Sequence, residues 1–412
     1  MEEEHRMSGP RGEIISVNVL CKQPGRFIGW PTIARSANGN LLTVFSGDRD
    51  AHGCMASKTQ MIRSGDNGRS WSSPETINNT PMDDRDAGIV ALSDGTLILS
   101  WFVSLHDPDY DPVIPLGMSN RDDYRDDYRE ACRPFLERIT EQDKEHWLGG
   151  ENPAGSPFKW RSGYWIRRSV DHGYTWEDPI KVCTSAPHGP VKLHDGSLLF
   201  LGSNQHGNPD KDRRVIVQKS CDKGRTWTVE TSWDAIIPAK NRKAIADKFR
   251  NNRRELFDNA VWNVMAERDC RLAEPHAVEA EPGRIIGVFR GQPFDEGLWQ
   301  AESFDDGKTW QDLRPIPNIW GKPPHLIRLN DGRLLLSYGH RREPFGQRAC
   351  ISDDGGRNWD HEHEIVLSNV WASDLGYPAS VQLDDGTIIT VYYEMDRPEE
   401  KPCLKATTWR LR

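Results

Sequence analysis

The chain has 412 residues, and its 53 Lys and Arg against 62 Asp and Glu give a formal net charge of −9. An acidic balance of this kind disfavours nucleic acid as a partner, because the phosphate backbone selects basic surfaces. The sequence contains no run of about 18 apolar residues, so neither a transmembrane helix nor a membrane partner is predicted.

The N-terminal residues and the cysteines bear on the cellular compartment. The first six residues, Met-Glu-Glu-Glu-His-Arg, lack the apolar core of a secretory signal, so we expect a cytoplasmic protein, with secretion of a processed form as the open alternative. The eight cysteines are scattered without a C-x-x-C pair, which predicts reduced thiols and no cysteine-based zinc site. They are Cys21, Cys54, Cys132, Cys183, Cys221, Cys270, Cys350 and Cys403.

The first predicted unit is a β-hairpin followed by a third strand and a distinctive turn. The hairpin spans residues 32–45 around Asn38-Gly39, and Asn-Gly between β-rich segments is a strong hairpin signal. A strand at 58–63 leads into residues 64–71, Ser-Gly-Asp-Asn-Gly-Arg-Ser-Trp. In such a turn Asp can accept bonds from downstream amides, Gly can adopt positive φ, and Trp supplies an apolar anchor. With a fourth strand after the turn, the unit is a four-stranded antiparallel sheet.

The same unit recurs along the chain. Further hairpin turns occur at Asp94-Gly95, Asp195-Gly196, Pro282-Gly283, Asp331-Gly332 and Asp385-Gly386. The pattern Ser-x-Asp-x-Gly-x-(Thr/Ser/Asn)-Trp, called the Asp box below, returns at residues 169–176, 220–227, 303–310 and 352–359. Six units of four strands predict an all-β fold, the six-bladed β-propeller, with residues 1–412 as one domain.

The sixth unit has no Asp box and ends in a predicted strand at 406–411. We expect residues 13–20 to supply its fourth strand, because this pairing would close the ring and hide the sheet edges.

Two charged insertions interrupt the repeat. Residues 103–162 separate the second and third strands of blade two, with a helical pattern at 122–147, and residues 232–270 separate blades three and four, with another at 239–264. In an antiparallel blade both insertions lie on the face opposite the Asp boxes. A solvated decoration and a lid over a pocket are both compatible with the pattern.

The same alternation locates candidate functional residues. The start of each innermost strand should line the mouth of the central channel on the face opposite the Asp boxes. These starts are Trp30-Pro31, Asp84-Arg85-Asp86, Pro187-His188, Glu274-Pro275-His276, Pro324-His325 and Gly376-Tyr377-Pro378. The ends of the second strands and their loops add Asp48, Arg49, Asp50, His52, Arg290, Arg341, Arg342 and Arg348.

With its Asp boxes and six-blade spacing, the chain resembles the sialidase (neuraminidase) superfamily over nearly its whole length. Residues 272–290 look like the family segment that carries a catalytic Glu and, 16 residues later, an Arg that binds the substrate carboxylate. Residues 376–387 look like the segment that carries the nucleophilic Tyr. The resemblance implies Glu274 as the base toward Tyr377, Asp50 as the acid, with Asp48 as a competitor, and Arg290 and Arg348 as carboxylate ligands. Sialidases are an exception to the use of two carboxylates in glycoside hydrolysis.

One position departs from the family pattern. The family carries an Arg two residues before the first-strand Pro, whereas this chain has Gly29 in that position. One arm of the three-arginine clamp is therefore missing or replaced, with Arg49 and Arg85 as candidates. This departure makes a uronic acid or another keto acid a candidate substrate beside sialic acid.

Four histidines are also expected at the mouth. His188, His276 and His325 follow Pro at equivalent strand starts, and His52 faces the same place. As a group they favour contacts to sugar hydroxyls or a carboxylate. Ligation of a metal together with Asp84 or Asp86 is an open alternative, but no short metal-ligand spacing is present, so no metal and no cofactor are predicted. Asp84, Arg85 and Asp86 are compatible with a charged rim or with a substrate contact.

Three functions remain open from the residues. The preferred one is a retaining exo-glycoside hydrolase on a terminal acidic sugar of an oligosaccharide or glycoconjugate. A polysaccharide lyase acting on a uronate is the second, and a non-catalytic carbohydrate-binding propeller is the third. The joint presence of Asp, Glu, Arg and Tyr at one mouth favours an enzyme.

Overall fold

The computed structural model describes residues 11–105, 133–148, 163–204, 213–237, 271–292 and 297–412. Within these residues, 24 strands form six antiparallel sheets of four strands each. This arrangement confirms the predicted all-β, six-bladed propeller.

Blades one to five each use four consecutive strands. Blades one and two contain β2 (Phe27–Arg35), β3 (Leu41–Arg49), β4 (Lys58–Ser64), β5 (Glu75–Asn78), β6 (Asp83–Ala91), β7 (Leu97–Ser104), β8 (Gly163–Ser169) and β9 (Ile180–Val182). Blades three and four contain β10 (Val191–Lys192), β11 (Leu198–Ser203), β12 (Arg214–Ser220), β13 (Thr228–Asp234), β14 (Arg271–Glu281), β15 (Arg284–Gln292), β16 (Gly297–Ser303) and β17 (Gln311–Trp320). Blade five contains β18 (Pro324–Arg328), β19 (Leu334–His340), β20 (Gly346–Ser352) and β21 (Ile365–Val366).

The sixth blade joins the two ends of the chain. It consists of β22 (Gly376–Gln382), β23 (Ile388–Glu394), β24 (Cys403–Leu411) and the N-terminal strand β1 (Gly12–Cys21). Strand β1 pairs antiparallel with β24, with Val17 opposite Thr407. The predicted closure is confirmed, and it matters because an open ring would leave an unpaired edge on β24.

The Asp boxes hold the turns between third and fourth strands through one repeated set of bonds. In the first box, Ser64 Oγ donates to Asp66 Oδ1 at 2.7 Å, and the amide of Ser70 donates to the same oxygen at 2.9 Å. The Gly68 amide donates to Ser64 Oγ at 2.8 Å, and Gly68 has a φ of 83°. These bonds lower the pKa of Asp66 to about 2. The role of this turn is therefore structural, as its sequence predicts.

The blades are held together by apolar side chains from the faces of neighbouring sheets. Between blades one and two, Leu42 and Val44 of β3 pack with Leu97, Leu99 and Trp101 of β7 in one buried cluster. Each of these side chains is at most 1% exposed. Such burial contributes about 1.5–3 kcal/mol per large apolar side chain, so the blade contacts form a rigid frame for the channel mouth.

Parts of the predicted insertions lie outside the described residues, including the helical pattern at 239–264. Within 103–162, residues 133–136 form a helical turn, and helix α1 (Glu141–Leu148) overlaps the end of the predicted helix. Thr140 and Asp143 exchange bonds across the first turn of α1, as a helix-capping pair does. The ring of Trp147 lies 5.4 Å from that of Trp165, so α1 packs against blade two.

Six of the eight cysteines are described, and all six are free thiols. Cys132 and Cys270 lie outside the described residues. Within the part of the chain that the structure describes, no helix has the length and apolar character needed to cross a membrane.

Candidate active site

Four of the six innermost strands carry the same β-bulge at the channel mouth. In β2, β6, β14 and β22, a stretch of the innermost strand contains one residue more than the stretch paired with it on the neighbouring strand. In β14, for example, Ala273 pairs with Arg290 and His276 pairs with Val288. The residues at the equivalent bulge position have positive φ: Trp30 (54°), Asp86 (51°), Glu274 (44°) and Tyr377 (54°).

A positive φ in a residue other than glycine costs about 1–3 kcal/mol and is concentrated at functional sites. β-Bulges serve the same purpose, because they redirect a side chain at the end of a strand. The repeated strain at Trp30, Asp86, Glu274 and Tyr377 therefore identifies the mouth as the candidate site.

The centre of the site is a pair of bulge residues from blades four and six, which are separated by one blade in the ring. The Tyr377 hydroxyl donates to Glu274 Oε1 at 2.8 Å, and both residues are at most 5% exposed. Arg290 Nη1 donates to the other oxygen of the same carboxylate, Oε2, at 2.6 Å. Burial and the charge of Glu274 raise the pKa of Tyr377 well above its ordinary value. The phenol is therefore neutral and bonded to a carboxylate that can accept its proton.

Arg290 keeps bonding capacity beyond its contact with Glu274. Its Nε is buried and has no hydrogen-bond partner among the described residues. Burial opposes its charge, but the Glu274 carboxylate more than offsets this effect, so the pKa of Arg290 lies above its ordinary value. A cationic guanidinium with a spare donor beside Tyr377 can bind an anionic group.

A second arginine, Arg341, lies near Tyr377. Its Nη2 donates to the Tyr393 hydroxyl at 3.3 Å, and its Nε donates to the Leu375 carbonyl oxygen at 2.9 Å. Its guanidinium carbon lies 5.9 Å from the ring centroid of Tyr377. The Tyr393 hydroxyl donates to Asp374 Oδ1 at 2.9 Å. This chain of contacts fixes Arg341 beside the candidate nucleophile.

Aromatic rings fill the space beside Gly29. A Cβ at this position would lie 3.0 Å from the Phe27 ring and 3.7 Å from the Tyr393 ring. The Trp30 ring lies 5.4 Å from Phe27 and 4.8 Å from His52. The first-strand arginine of the sialidase pattern is thus replaced by an aromatic wall.

Arg85 and His52 border this wall. The guanidinium carbon of Arg85 lies 4.7 Å from the Trp30 ring centroid, and its side chain is 12% exposed. His52 Nδ1 lies 3.8 Å from Asp374 Oδ1. Desolvation, together with the charge of Arg85, holds the pKa of His52 below its ordinary value although Asp374 raises it. Both predicted residues therefore lie at the mouth.

The other three histidines form a buried cluster. The ring centroids of His276 and His325 are 4.5 Å apart in a stacked arrangement, and His188 lies 4.9 Å from His325. His276 Nδ1 accepts the amide of Leu326 at 2.9 Å. Burial lowers the pKa of His276 to about 3, and it moves the pKa of His188 and His325 in the same direction. The three rings are therefore neutral.

The histidine cluster is only partly what the sequence predicts. Each ring is at most 5% exposed, and the His188 ring lies 6.3 Å from Tyr377. The cluster thus packs beside the candidate nucleophile and makes blade-to-blade bonds. Among the described residues, no group of three or more His, Cys, Asp or Glu side chains is arranged to hold a metal ion.

Arg49 does not lie free at the mouth. Its side chain is 0% exposed, and Nη1 forms a 2.7 Å ion pair with Asp83 Oδ1. The same guanidinium donates to Ser57 Oγ at 2.8 Å and to the His52 carbonyl oxygen at 2.7 Å. The predicted substrate contact through Arg49 is corrected: this arginine holds the loop after β3.

Arg348 is likewise committed to structural contacts. Its two Nη atoms donate to the carbonyl oxygens of Pro344, Gln347 and Ser368 and to Asn369 Oδ1, and its Nε lies 3.5 Å from Glu364 Oε2. A guanidinium has five N–H donors, so none remains for a substrate carboxylate. Arg341 is in contact with Tyr377, where the sequence comparison predicts Arg348.

Asp50 is the predicted acid, and the structure does not join it to the Tyr377–Glu274 pair. Its side chain is 49% exposed and bonded to Arg26, and its carbonyl oxygen accepts Lys401 Nζ at 2.6 Å. Asp48 is paired with Arg26 and Lys58. Both carboxylates therefore belong to a surface ion-pair network.

Sequence reasoning placed Trp30 and Asp86 among the strand starts at the mouth but gave neither a catalytic role, and it considered Arg341 only among other arginines. A signal for Trp30 was present, since Trp30-Pro31, Glu274-Pro275 and Tyr377-Pro378 share one pattern. Asp86 precedes Ala87, so the pattern alone does not reveal it.

Comparison with known proteins agrees with this architecture. Residues 151–390 match the family described as BNR repeat-like domain. A search of curated proteins finds no match.

Several solved structures are similar to the chain. A protein of unknown function from Dyadobacter fermentans is 21% identical, with a TM-score of 0.70 over 98% of this chain and 100% of that one. The NanB sialidase from Streptococcus pneumoniae is 15% identical, with a TM-score of 0.58 over 97% of this chain and 70% of that one. The intramolecular trans-sialidase from Ruminococcus gnavus is 15% identical, with a TM-score of 0.57 over 96% and 98%. The chain therefore belongs to the BNR repeat-like family and has the six-bladed propeller fold of the sialidase superfamily.

Proposed function

We propose that the protein is a retaining exo-glycoside hydrolase that releases a terminal acidic sugar. The observation that carries the proposal is the 2.8 Å bond from the Tyr377 hydroxyl to Glu274, with Arg290 on the other carboxylate oxygen. The sialidase names of several structural neighbours support the reaction class.

The proposed first step is attack by Tyr377 Oη on the anomeric carbon. Glu274 takes the phenol proton as the new C–O bond forms, and the bond to the leaving oxygen breaks with its electron pair. Because the phenol is neutral until this moment, it approaches an anionic sugar without the repulsion that a carboxylate nucleophile would meet. Water then attacks the glycosyl-tyrosine, and Glu274 returns a proton to the departing tyrosine oxygen. Two displacements retain the configuration of the sugar.

The acidic character of the substrate follows from the arginines. Arg290 bonds the Glu274 carboxylate and retains a buried donor without a partner among the described residues, and the guanidinium carbon of Arg341 lies 5.9 Å from the Tyr377 ring centroid. Two guanidinium groups suit a carboxylate next to the reacting carbon. Gly29 and its aromatic neighbours stand where the family pattern has a third arginine. For this reason the proposed substrate class includes uronic acids and keto acids other than sialic acid.

The test is turnover of a panel of aryl glycosides of N-acetylneuraminic acid, of a deoxy keto acid and of glucuronic acid. We expect release of at least one acidic sugar with retained anomeric configuration, which proton NMR of the released sugar measures. Tyr377→Phe should abolish it. Tyr392→Phe is the matched control, because Tyr392 is a buried tyrosine whose hydroxyl bonds Thr407 in blade six.

Other outcomes would contradict the proposal. Formation of an unsaturated uronide from a polyuronate would indicate a lyase. Tight binding of acidic oligosaccharides without turnover of any panel member would indicate a binding protein. Full activity of Tyr377→Phe would exclude tyrosine as the nucleophile.

A further inference from the structure

The hydrolysis proposed above needs a proton for the leaving oxygen, and the carboxylates expected to supply it are engaged elsewhere. Lys58 and Arg26 hold the pKa of Asp48 below its ordinary value, although its partial burial acts in the opposite direction. Asp50 is half exposed and paired with Arg26. A carboxyl that must arrive at the reaction with its proton needs the opposite environment.

Asp86 has that environment. It occupies the bulge position of blade two that corresponds to Glu274 in blade four and Tyr377 in blade six. The residue is 3% exposed, and its Oδ1 has no hydrogen-bond partner among the described residues. Its backbone amide is held by Ser46 Oγ at 3.1 Å. A buried carboxyl oxygen without a partner, in a strained backbone, costs free energy, and such costs are concentrated at functional sites.

The neighbouring Asp84 is a contrasting case. Its carboxylate accepts the amide of Thr80 at 2.9 Å and the indole N–H of Trp101 at 3.2 Å. Asp84 is therefore explained by the packing of blade two, whereas Asp86 is not.

The charges around Asp86 come from three blades. Burial raises its pKa to about 7, Arg85 on its own strand and Arg49 on β3 act in the opposite direction, and Glu274 on β14 and Asp83 add to the rise. The charge of Asp86 also acts on Tyr377 of β22. Asp86 is thus electrostatically coupled to both members of the central pair and holds a proton near neutral pH.

We propose that Asp86 is the general acid of this site, donating its proton to the leaving oxygen as Tyr377 attacks. In the second step the resulting Asp86 carboxylate takes a proton from the attacking water, which restores the acid. This inference rests on the proposed hydrolase function and replaces Asp50 in the role that family resemblance implies.

The decisive experiment compares leaving groups in D86N, D50N and the wild-type protein, with the panel sugar that the wild type releases. A poor leaving group, such as a methyl or galactosyl alcohol, needs protonation, and a nitrophenolate does not. We expect D86N to lose about 10²–10⁴-fold in kcat/KM on the poor leaving group, the usual contribution of general acid catalysis. Its loss of kcat/KM on the nitrophenyl glycoside should stay below about 10-fold. D50N should keep the wild-type ratio between the two substrates.

A second measurement does not depend on turnover. The infrared spectrum of the wild type minus that of D86N should show the carbonyl band of a protonated carboxyl. This band should fade as the pH rises through about 7. D86N should also melt no lower than the wild type at pH 8, since it removes a buried carboxylate without a partner on Oδ1.

The outcomes separate the two proposals. If D86N loses activity equally on both leaving groups, or if D50N shows the selective loss, the assignment of Asp86 is overturned and the hydrolase stands. An absent difference band also overturns it. If no panel sugar is released by the wild type, the hydrolase proposal fails and the catalytic role of Asp86 fails with it.

Discussion

The hydroxyl of Tyr377 and the carboxylate of Glu274 are bonded at 2.8 Å although 103 residues separate them in the chain. They meet because the same bulge recurs in blades four and six. A neutral tyrosine bonded to a carboxylate that can accept its proton suits the proposed role of nucleophile.

Glu274→Gln should lower kcat/KM about 10²–10⁴-fold, because the amide cannot accept the phenol proton in the attack on the anomeric carbon. Unlike D86N, this variant should lose activity on good and poor leaving groups alike. Steady-state kinetics with both substrates checks the prediction. A loss confined to the poor leaving group would mean that Glu274 is an acid rather than the base toward Tyr377.

Arg341→Met and Arg348→Met should behave differently. Removing Arg341 takes a charged donor from the anion site, and a charged hydrogen bond contributes about 1.5–3 kcal/mol, so binding of the acidic sugar should weaken about 10- to 100-fold. Removing Arg348 takes its donors from the carbonyl oxygen of Ser368 and from Asn369 Oδ1, so it should lower stability and leave affinity nearly unchanged.

Calorimetric titration with the free sugar and thermal melting separate the two arginine variants. Equal loss of affinity in both would return Arg348 to the site. Unchanged affinity in Arg341→Met would remove Arg341 from it.

Gly29→Arg should not restore a three-arginine clamp. A side chain here meets the Phe27 ring at 3.0 Å from its Cβ, and overpacking of this kind typically costs about 1–3 kcal/mol. We expect a lower melting temperature and no gain in affinity for N-acetylneuraminate, with Gly29→Ala as the milder control. Tighter binding by the arginine variant would show that the aromatic wall can open.

The histidine cluster should make stability depend on pH. The pKa of His276 is about 3 in the folded protein against an ordinary value of 6.5, so the unfolded chain takes up the proton first as the pH falls. The contribution of such a histidine to the free energy of unfolding is therefore fully present above pH 6.5. It declines as the pH falls toward 3, by up to about 1.4 kcal/mol per pH unit for each histidine.

His276→Asn tests this linkage, because an Asn oxygen can replace Nδ1 as the acceptor for the Leu326 amide without a titrating ring. Urea unfolding at several pH values between 7.5 and 4.5 should give a shallower slope for this variant than for the wild type. An unchanged slope would show that the pH dependence arises elsewhere.

Much of the fold could be predicted because its signals are local. The Asp box of residues 64–71 is held by bonds within four residues of Asp66, and a hairpin turn such as Asn38-Gly39 needs no distant partner. The number of these turns gives the number of blades. Their alternation along the chain predicts that Glu274 and Tyr377 lie on the face opposite the Asp boxes.

The composition of the site was less predictable because it depends on partners far away in sequence. Arg341 lies in the loop after β19 and Arg348 lies seven residues later in β20. The Nη donors of Arg348 are used by nearby chain segments, whereas Arg341 reaches Tyr393. Asp50 and Asp86 both carry carboxyl groups. Asp50 is paired with Arg26, whereas Asp86 is buried and its Oδ1 has no partner among the described residues.

The sequence by itself therefore determined the repeat and the closure through β1, since turn chemistry and strand alternation act over a few residues. The roles expected of Tyr377, Glu274 and Arg290 came from the resemblance to sialidases. Only the tertiary structure decided which charged side chains are available to a ligand. Availability depends on whether each polar atom already has a partner and how much water remains around it, and both are properties of the assembled ring.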